Sequence, residues 1–150
     1  MPQIISKDSL LYSRYLIGKA RHFILQVRQK ELKPYLVSAR QANVLIILYR
    51  LGRKGTLAQL AANTDRGISA LSILTTRMEK DGLLKKVRET PKSNQLSFEL
   101  TKKGLATYEK VKIMSSVKTI MSVLSEEERK QLISSLEKVI TKAKQYPWVD

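Results

Sequence analysis

The stretch TLAQLAANTDRGISALSILTTRMEKDGLL, residues 56–84, contains two short helical patterns joined by a tight turn. Thr56 and Gln59 have the spacing of a capping box, in which a hydroxyl and an amide satisfy each other's free backbone N–H groups at the start of a helix. After the turn at residues 63–65, a second helix runs to Gly82. The side chains of this second helix indicate what the chain binds.

The second helix has an apolar side and a side of small or hydroxyl-bearing residues. The apolar stripe is expected to face the core and consists of Ile68, Leu71, Leu74 and Met78. The other side carries Ser69, Ser72, Ile73, Thr76 and Arg77. Small side chains let a helix approach base edges, hydroxyls hydrogen-bond to bases or phosphates, and isoleucine can contact a thymine methyl group. We therefore expect this helix to enter a major groove, with simple solvation of the hydroxyls as the alternative.

The hydrophobic period changes to two after Gly82, so LLKKVRE (83–89) and LSFEL (96–100) predict two strands. In the second strand, Leu96, Phe98 and Leu100 are expected to point inward, and residues 97 and 99 outward. The polar stretch TPKSNQ (90–95) is then a hairpin tip. Two short helices followed by a hairpin predict a winged helix-turn-helix, whose hairpin tip reaches the flanking backbone or the minor groove.

Further helices are predicted on both sides of this lobe. One covers residues 7–31 and is stopped by Pro34; another starts at a capping box of Ser38 and Gln41, is hydrophobic nearly all round, and ends at Gly52. A long helix is predicted over residues 101–124, and a last helix starts at a third capping box, residues 125–128. The predicted fold is mainly α with a small β-hairpin, in one domain of residues 1–150.

The outer helices carry more apolar surface than a small lobe can cover. We therefore predict a homodimer, with residues 1–37 and 101–150 as dimerisation helices and residues 38–100 as the winged helix-turn-helix DNA-binding lobe. The residues predicted to form the dimer interface are Leu10, Leu11, Ile120, Leu124, Leu132, Leu136, Val139 and Ile140.

The composition favours a nucleic-acid partner. Lys and Arg number 28 against 13 acidic residues, a formal net charge of +15, and the excess is spread along the chain. There is no cysteine and only one histidine, His22, which argues against disulfides, zinc fingers, thiol chemistry and a metal site. No phosphate-binding loop or catalytic constellation is present, so we expect neither a cofactor nor an enzyme. The amino-terminal segment lacks the apolar run of a secretory signal, and the protein is expected to be soluble and cytoplasmic.

The predicted DNA contacts come from the second helix and the hairpin. Cations at the helix ends and on the hairpin, including Lys85, would lie where a docked duplex brings its phosphates. The complete predicted set is Arg66, Ser69, Ala70, Ser72, Ile73, Thr76, Arg77, Lys80, Lys86, Arg88, Lys92, Ser93 and Asn94.

These segments together resemble the multiple antibiotic resistance regulator (MarR) family of bacteria and archaea. SARQANVLIIL (38–48) is similar to its second helix, TLAQLAANTDRGISALSILTTRMEKDGLLKK (56–86) to its helix-turn-helix and first wing strand, FELTKKG (98–104) to the end of its wing, and LSEEERKQLISSLEKV (124–139) to its last helix. The resemblance covers nearly the whole chain. It implies a homodimer with interlocked first and last helices, a palindromic operator, and a small ligand that weakens DNA binding.

The chain departs from the family pattern in the wing. Where the family usually has an aspartate and, two residues later, an arginine, this chain has Lys92 and Asn94. The ion pair within the wing is therefore absent, and the family's minor-groove arginine is not carried over.

We expect a small-molecule effector, aromatic or anionic, to bind between the dimer helices and the winged lobe. Aromatic side chains with nearby cations offer apolar walls and a positive end. The predicted ligand residues are Tyr12, Arg14, Tyr15, Lys19, His22 and Tyr49.

The sequence also allows two other interpretations. GRKG (52–55) between two helices is also the loop by which KH domains bind single-stranded nucleic acid, although a helix end at Gly52 accounts for it better. A basic interaction module or membrane-surface module without sequence specificity is the other alternative.

Overall fold

The computed structural model describes residues 9–149, so predictions for residues 1–8 and 150 lie outside the described part. The elements are α1 (Ser9–Leu32), a 3-10 turn (Lys33–Tyr35), α2 (Ala39–Arg50), β1 (Lys54–Thr56), α3 (Leu57–Asn63), α4 (Ile68–Lys80), β2 (Leu84–Arg88), β3 (Leu96–Leu100), α5 (Lys102–Val111), α6 (Ser115–Met121) and α7 (Glu126–Ala143). The mainly helical fold with a small sheet is confirmed.

The three predicted capping boxes are all present. In each, the hydroxyl accepts from the backbone N–H three residues later, and the side chain at that position accepts from the N–H of the capping residue. At the start of α2, for example, Ser38 Oγ lies 3.1 Å from Gln41 N and Gln41 Oε1 lies 2.9 Å from Ser38 N. These bonds involve only neighbours in sequence, which explains why the pattern located the helix starts.

Helix α2 lies at the centre of the winged lobe. Val44, Leu45 and Leu48 are completely or almost completely buried, as are Leu60 of α3 and Leu71 of α4. Burying a leucine side chain contributes about 2 kcal/mol to folding. The all-round hydrophobicity of this helix therefore reflects a core surrounded by α3, α4, α5 and the sheet.

The sheet has three antiparallel strands instead of the predicted two, in the order β1-β3-β2. Lys54–Thr56, the end of the GRKG segment and the residue after it, pairs with β3, so this segment is a helix end leading into a strand rather than a loop between helices. Because β3 is central, Ser97 lies between Thr56 and Val87 and is buried. Leu96, predicted to point inward, is 37% exposed because it lies beside the hairpin tip, at the far end of the sheet from the core.

The long helix predicted from Thr101 is interrupted. It ends as α5 at Val111, and α6 begins after Met114, whose φ of 50° places it in the left-handed region. Glu31 of α1 accepts hydrogen bonds from both the backbone N–H (2.9 Å) and the hydroxyl (2.6 Å) of Ser116 in the first turn of α6. The start of α6 is therefore stabilised by Glu31, which lies 85 positions earlier in the chain than Ser116. No local sequence pattern indicates this helix start.

A buried ion pair joins α1 to this break. The guanidinium of Arg28 donates to the carbonyl of Val111 and, at 2.7 Å, to Glu31 Oε2. Burial by itself would raise the pKa of Glu31, but the hydrogen bonds from Ser116 and Arg28 outweigh it and lower this pKa to about 2. The charged pair therefore anchors α1 where α5 ends and α6 begins.

Helix α5 is held close to the end of α4. Thr101 caps α5 through Gly104 N (3.0 Å), and its own N–H donates to the carbonyl of Leu83. A Cβ at Gly104 would lie 2.1 Å from that carbonyl oxygen, so only glycine permits the contact. This contact connects the winged lobe to the helices that follow it.

Helices α1 and α7 leave large apolar side chains exposed in the single chain. No residue of α7 is buried, although Leu132, Ile133, Val139 and Ile140 lie along it. Leu10, Leu16, Ile17 and Phe23 of α1 are likewise exposed. Among residues 9–149, no helix has the length and apolar character needed to cross a membrane.

We predict that Glu31→Gln lowers the free energy of unfolding by up to about 3 kcal/mol at neutral pH, because a pKa lowered from 4.5 to about 2 reports that much preference for the charged form. Since the pKa is lowered in the folded state, this stabilisation is complete above about pH 4.5 and is lost as the pH falls towards 2. Urea titrations from pH 7 to about pH 3 should show the difference between the two proteins shrinking below pH 4.5.

Glu109→Gln is the matched control, because Glu109 also pairs with a cation, Lys112, but on the exposed surface of α5. It should change stability little at any of these pH values. Equal losses in the two variants would contradict a special role for the buried pair.

Candidate nucleic-acid interface

Helix α4 is anchored by one narrow side. Leu71, Thr75 and Met78 are fully buried, and Leu74 is partly buried against the core. Thr75 fits there because its hydroxyl donates to the carbonyl of Leu71 at 2.8 Å, which satisfies it within the helix. Ile68 was predicted to face the core but is 53% exposed. It is the first residue of α4, and the first turn of this helix extends beyond the edge of the core.

The outward side of α4 is as bare as the sequence indicated. Ile73 is 68% exposed, Ser69 and Ser72 are exposed, and Ala70 is half-buried at one edge. A shallow depression of about 330 Å³ on this side is lined by Ser72, Ile73, Thr76, Arg77 and Lys80. Within residues 9–149, no acidic side chain lines it. This surface, which we call the α4 face, is uncharged at its centre and cationic at its end.

The hydroxyls of the α4 face differ in what they offer a partner. Thr76 Oγ1 donates to the carbonyl of Ser72 at 2.8 Å, so its proton is used within the helix and its lone pairs remain. The hydroxyls of Ser69 and Ser72 have no hydrogen-bond partner within residues 9–149 and remain free to donate or accept. The α4 face therefore presents both hydrogen-bond acceptors and donors, the groups that could pair with base edges.

The wing flanks α4 on one edge. Lys86 of β2 pairs with Glu79 of α4 (3.7 Å), and Lys85 pairs with Glu99 of β3 (3.7 Å). Arg66, Arg88 and Lys92 have no ion-pair partner within the described part of the chain. Of the predicted wing cations, Arg88 and Lys92 thus keep their charge free for phosphate, whereas Lys85 and Lys86 are partly neutralised.

The tip of the wing is held by backbone and hydroxyl bonds. Ser93 N donates to the carbonyl of Thr90 (3.0 Å), and Gln95 N donates to Ser93 Oγ (3.1 Å). Lys92 and Asn94 lie on either side of Ser93 and are exposed. These hydrogen bonds order the turn around positions 92 and 94, where the MarR family pattern has an aspartate–arginine ion pair.

Four of the six predicted ligand residues share a surface groove, but that groove belongs to α1 alone. Arg14, Tyr15, Lys19 and His22 line it together, and Lys19 Nζ donates to the Tyr15 hydroxyl at 2.6 Å. Tyr12 stacks on Tyr15 with ring centroids 6.1 Å apart. Tyr49 lies in a different place, stacked on Tyr108 of α5 at 3.9 Å.

A cavity of about 400 Å³ lies between α1 and the winged lobe, and none of those six residues lines it. Its walls include Ile24, Leu25, Val44, Leu74 and Val117. Its polar groups include Arg21, Arg40, Arg66 and Asp65. Arg21 and Asp65 form an ion pair of 2.7 Å that joins α1 to the turn before α4.

Sequence reasoning did not predict this cavity because its lining residues come from segments up to 96 positions apart, residues 21–117, and only Arg66 among them was a predicted site residue, for DNA. The one local signal was Asp65–Arg66, an acid and a base inside the turn of the helix-turn-helix. Within residues 9–149, no group of three histidine or acidic side chains could hold a metal ion.

The residues predicted for the dimer interface lie on the unpartnered helices. Leu10, Leu11, Leu132, Val139 and Ile140 are exposed in the single chain. Ile120, Leu124 and Leu136 are half-buried. Their apolar surface thus remains available to a second protein surface.

No protein-family model matches this sequence, and no curated protein is significantly similar to it. The organohalide-sensing regulator RdhR, in its 2,4-dichlorophenol-bound form, is 26% identical with a TM-score of 0.79, over 93% of this chain and 82% of that chain. AbsC, a MarR family transcriptional regulator of Streptomyces coelicolor, is 20% identical with a TM-score of 0.81, over 97% and 100%. MepR of S. aureus, in complex with DNA, is 24% identical with a TM-score of 0.78, over 91% and 99%. The resemblance seen in the sequence is confirmed: this chain has the winged helix-turn-helix fold of the MarR family of transcriptional regulators.

Proposed function

We propose that this protein is a transcriptional regulator that binds duplex DNA in a sequence-specific manner through α4 and the wing. The observation that carries the proposal is the α4 face, an exposed helix surface of small, hydroxyl-bearing and apolar side chains with cations at its edges. Such a surface fits the major groove, where hydroxyls and apolar groups read base edges and cations meet phosphates. The net charge of +15 supports association with a polyanion.

In this proposal the regulator is a homodimer that binds a palindromic operator. It acts as a cytoplasmic repressor in a bacterium or archaeon. The exposed apolar side chains of α1 and α7 support self-association, because a soluble single chain rarely leaves such stripes uncovered. Two α4 helices about 34 Å apart would then enter successive major grooves on one side of the duplex.

A small aromatic or anionic effector is proposed to bind in the cavity between α1 and the winged lobe. The apolar walls suit a ring, and the arginines among its polar groups suit a carboxylate or phenolate. RdhR was solved with 2,4-dichlorophenol bound, which shows a small aromatic ligand in a protein of similar fold. The cavity is more enclosed than the open groove of Tyr15 and Lys19 on α1, and it touches both regions.

We predict that Thr76→Glu lowers affinity for an operator, selected from random duplex DNA, by about 100-fold or more. A carboxylate on the α4 face would repel the phosphates and base acceptors of the operator, and it would pair with Lys80 four positions later and so withdraw that cation from the DNA. The expected cost is several kcal/mol. Fluorescence anisotropy with labelled operator measures the change.

Ser134→Glu is the control, since Ser134 is an exposed helix residue on the polar side of α7 and the charge change is the same. This variant should bind normally. Equal affinity of Thr76→Glu and Ser134→Glu would show that α4 does not face the DNA, and the absence of any enriched sequence would disprove sequence-specific binding.

Ile140→Glu is predicted to dissociate the dimer into folded monomers. Ile140 is 53% exposed in the single chain, so its replacement should not disturb the protomer, while a buried interface charge without a partner costs several kcal/mol. Sedimentation velocity should give the mass of one chain for Ile140→Glu and of two chains for Ser134→Glu. A dimeric Ile140→Glu protein of native stability would exclude this face of α7 from the interface.

Salicylate and 2,4-dichlorophenol are predicted to bind the free dimer more tightly than the operator complex, by the same factor by which they weaken operator binding, typically ~5- to 150-fold. Calorimetry with and without operator measures this reciprocity. Val117→Phe, which fills the cavity, should abolish ligand binding, whereas Val123→Phe, at an 82% exposed position outside the cavity, should not. No heat with either compound, or equal heat with Val117→Phe, would count against this effector class and site.

A further inference from the structure

A wide groove runs along the edge of α4 that faces away from the wing. It has a volume of about 890 Å³ and lies between the carboxyl-terminal half of α1, the start of α2 and α4. Four cations line it: Lys30, Lys33, Arg40 and Arg77. No acidic residue is among its lining residues, and none of the four cations has an ion-pair partner within residues 9–149. We call this surface the α1–α4 groove.

The groove is continuous with the α4 face. Arg77 lines both surfaces, so a cation lies where they meet. Leu74 and Arg77, three positions apart, share the edge of α4 that borders the groove. Ser72 and Glu79, seven positions apart, lie on the opposite edge, where Glu79 pairs with Lys86 of the wing. Helix α4 therefore has the wing on one edge and a cationic groove on the other.

The shape of the groove is maintained by contacts independent of its cations. Gln29 Oε1 accepts from the backbone N–H of Ala39 at 2.9 Å, which joins α1 to the first turn of α2. Pro34 lies in the 3-10 turn between these helices, directly after Lys33, and its ring restricts φ at that position. Lys30 and Lys33 are exposed on this support, and neither has a role in the core.

A helix inserted in the major groove of B-DNA lies between two phosphate backbones about 12 Å apart. The free cations of the wing, Arg88 and Lys92, are available to the backbone on one side of α4. The α1–α4 groove presents its cations towards the other side. A phosphate backbone is the polyanion that matches a cationic groove without carboxylates beside a helix proposed to enter the major groove.

We propose that the DNA backbone on the edge of α4 opposite the wing binds in the α1–α4 groove, with Lys30, Lys33 and Arg40 as its phosphate contacts. This inference rests on the proposed function, because it takes α4 as the helix in the major groove. It extends the DNA-binding surface beyond the winged lobe to the end of α1, a helix otherwise assigned to dimerisation. The groove could instead bind a smaller anion, and the test must distinguish that outcome from binding of the DNA backbone.

The test compares the double variant Lys30→Gln/Lys33→Gln with Lys138→Gln/Lys142→Gln, which removes the same charge from exposed positions on α7. Affinity for the selected operator and for random duplex DNA is measured over a series of KCl concentrations. The loss of two phosphate contacts per protomer should lower the magnitude of the slope of log K against log[KCl] by about 2 per protomer. The same loss should weaken binding to the operator and to random DNA equally. The α7 variant should keep the wild-type slope. Phosphate-ethylation interference should in addition lose the sites on the backbone away from the wing only in the groove variant.

Equal slopes of log K against log salt for the two double variants would overturn this proposal. The Thr76→Glu variant would still test the α4 face, and so the proposed function, independently. If the groove variant keeps the wild-type slope but loses binding of pyrophosphate by calorimetry, the groove belongs to a small anion and not to DNA. If the wild-type protein itself binds neither DNA, the proposed function and this inference fail together. Thermal melting confirms that both double variants are folded before they are compared.

Discussion

The ion pair of Arg28 and Glu31 is the contact on which the arrangement of the helices depends. A guanidinium buried this deeply would be strongly destabilising without partners, and here it has both the Val111 carbonyl and the Glu31 carboxylate. Glu31 in turn holds the first turn of α6 through Ser116. The end of α5, the break at Met114 and the direction of α6 are thereby attached to one turn of α1. With those directions set, the apolar sides of α1 and α7 remain outside the single chain and available to a partner.

Most elements could be predicted from sequence where their stabilising contacts are local. The capping boxes involve residues three positions apart, and the apolar character of α2 follows from its own composition, so both were identified. Predictions failed where distant residues decide the outcome. Ser97 is buried because β1, more than 40 positions earlier, completes the sheet beside it. The break between α5 and α6 depends on Glu31, for which the sequence around Met114 contains no signal.

The candidate sites divide in the same way. The α4 face was predictable because a single helix carries it, and periodicity alone separates its core side from its outward side; only Ile68, in the first turn, was misplaced. The cavity and the α1–α4 groove are assembled from α1, α2 and α4, so no contiguous motif encodes them. The tyrosines of α1 were conspicuous in sequence, yet a groove on one isolated helix is too open to enclose a ligand, and Tyr49 instead packs on Tyr108.

The cavity and the α1–α4 groove have residues in common. A ligand in the cavity could therefore change the affinity of the protein for DNA through these shared residues. Leu25, Arg40 and Leu74 line both. An acid bound in the cavity that engages Arg40 withdraws that cation from a phosphate in the groove, and a bound phosphate withdraws it from the acid. Such competition is reciprocal by thermodynamic necessity, and it requires no large movement of the winged lobe. The exposed pair of Arg21 and Asp65 adds little to this coupling, because ion pairs in solvent contribute at most about 1 kcal/mol. If the proposed effector binds this cavity, direct competition for Arg40 should therefore contribute more to its effect than the breaking of that surface contact.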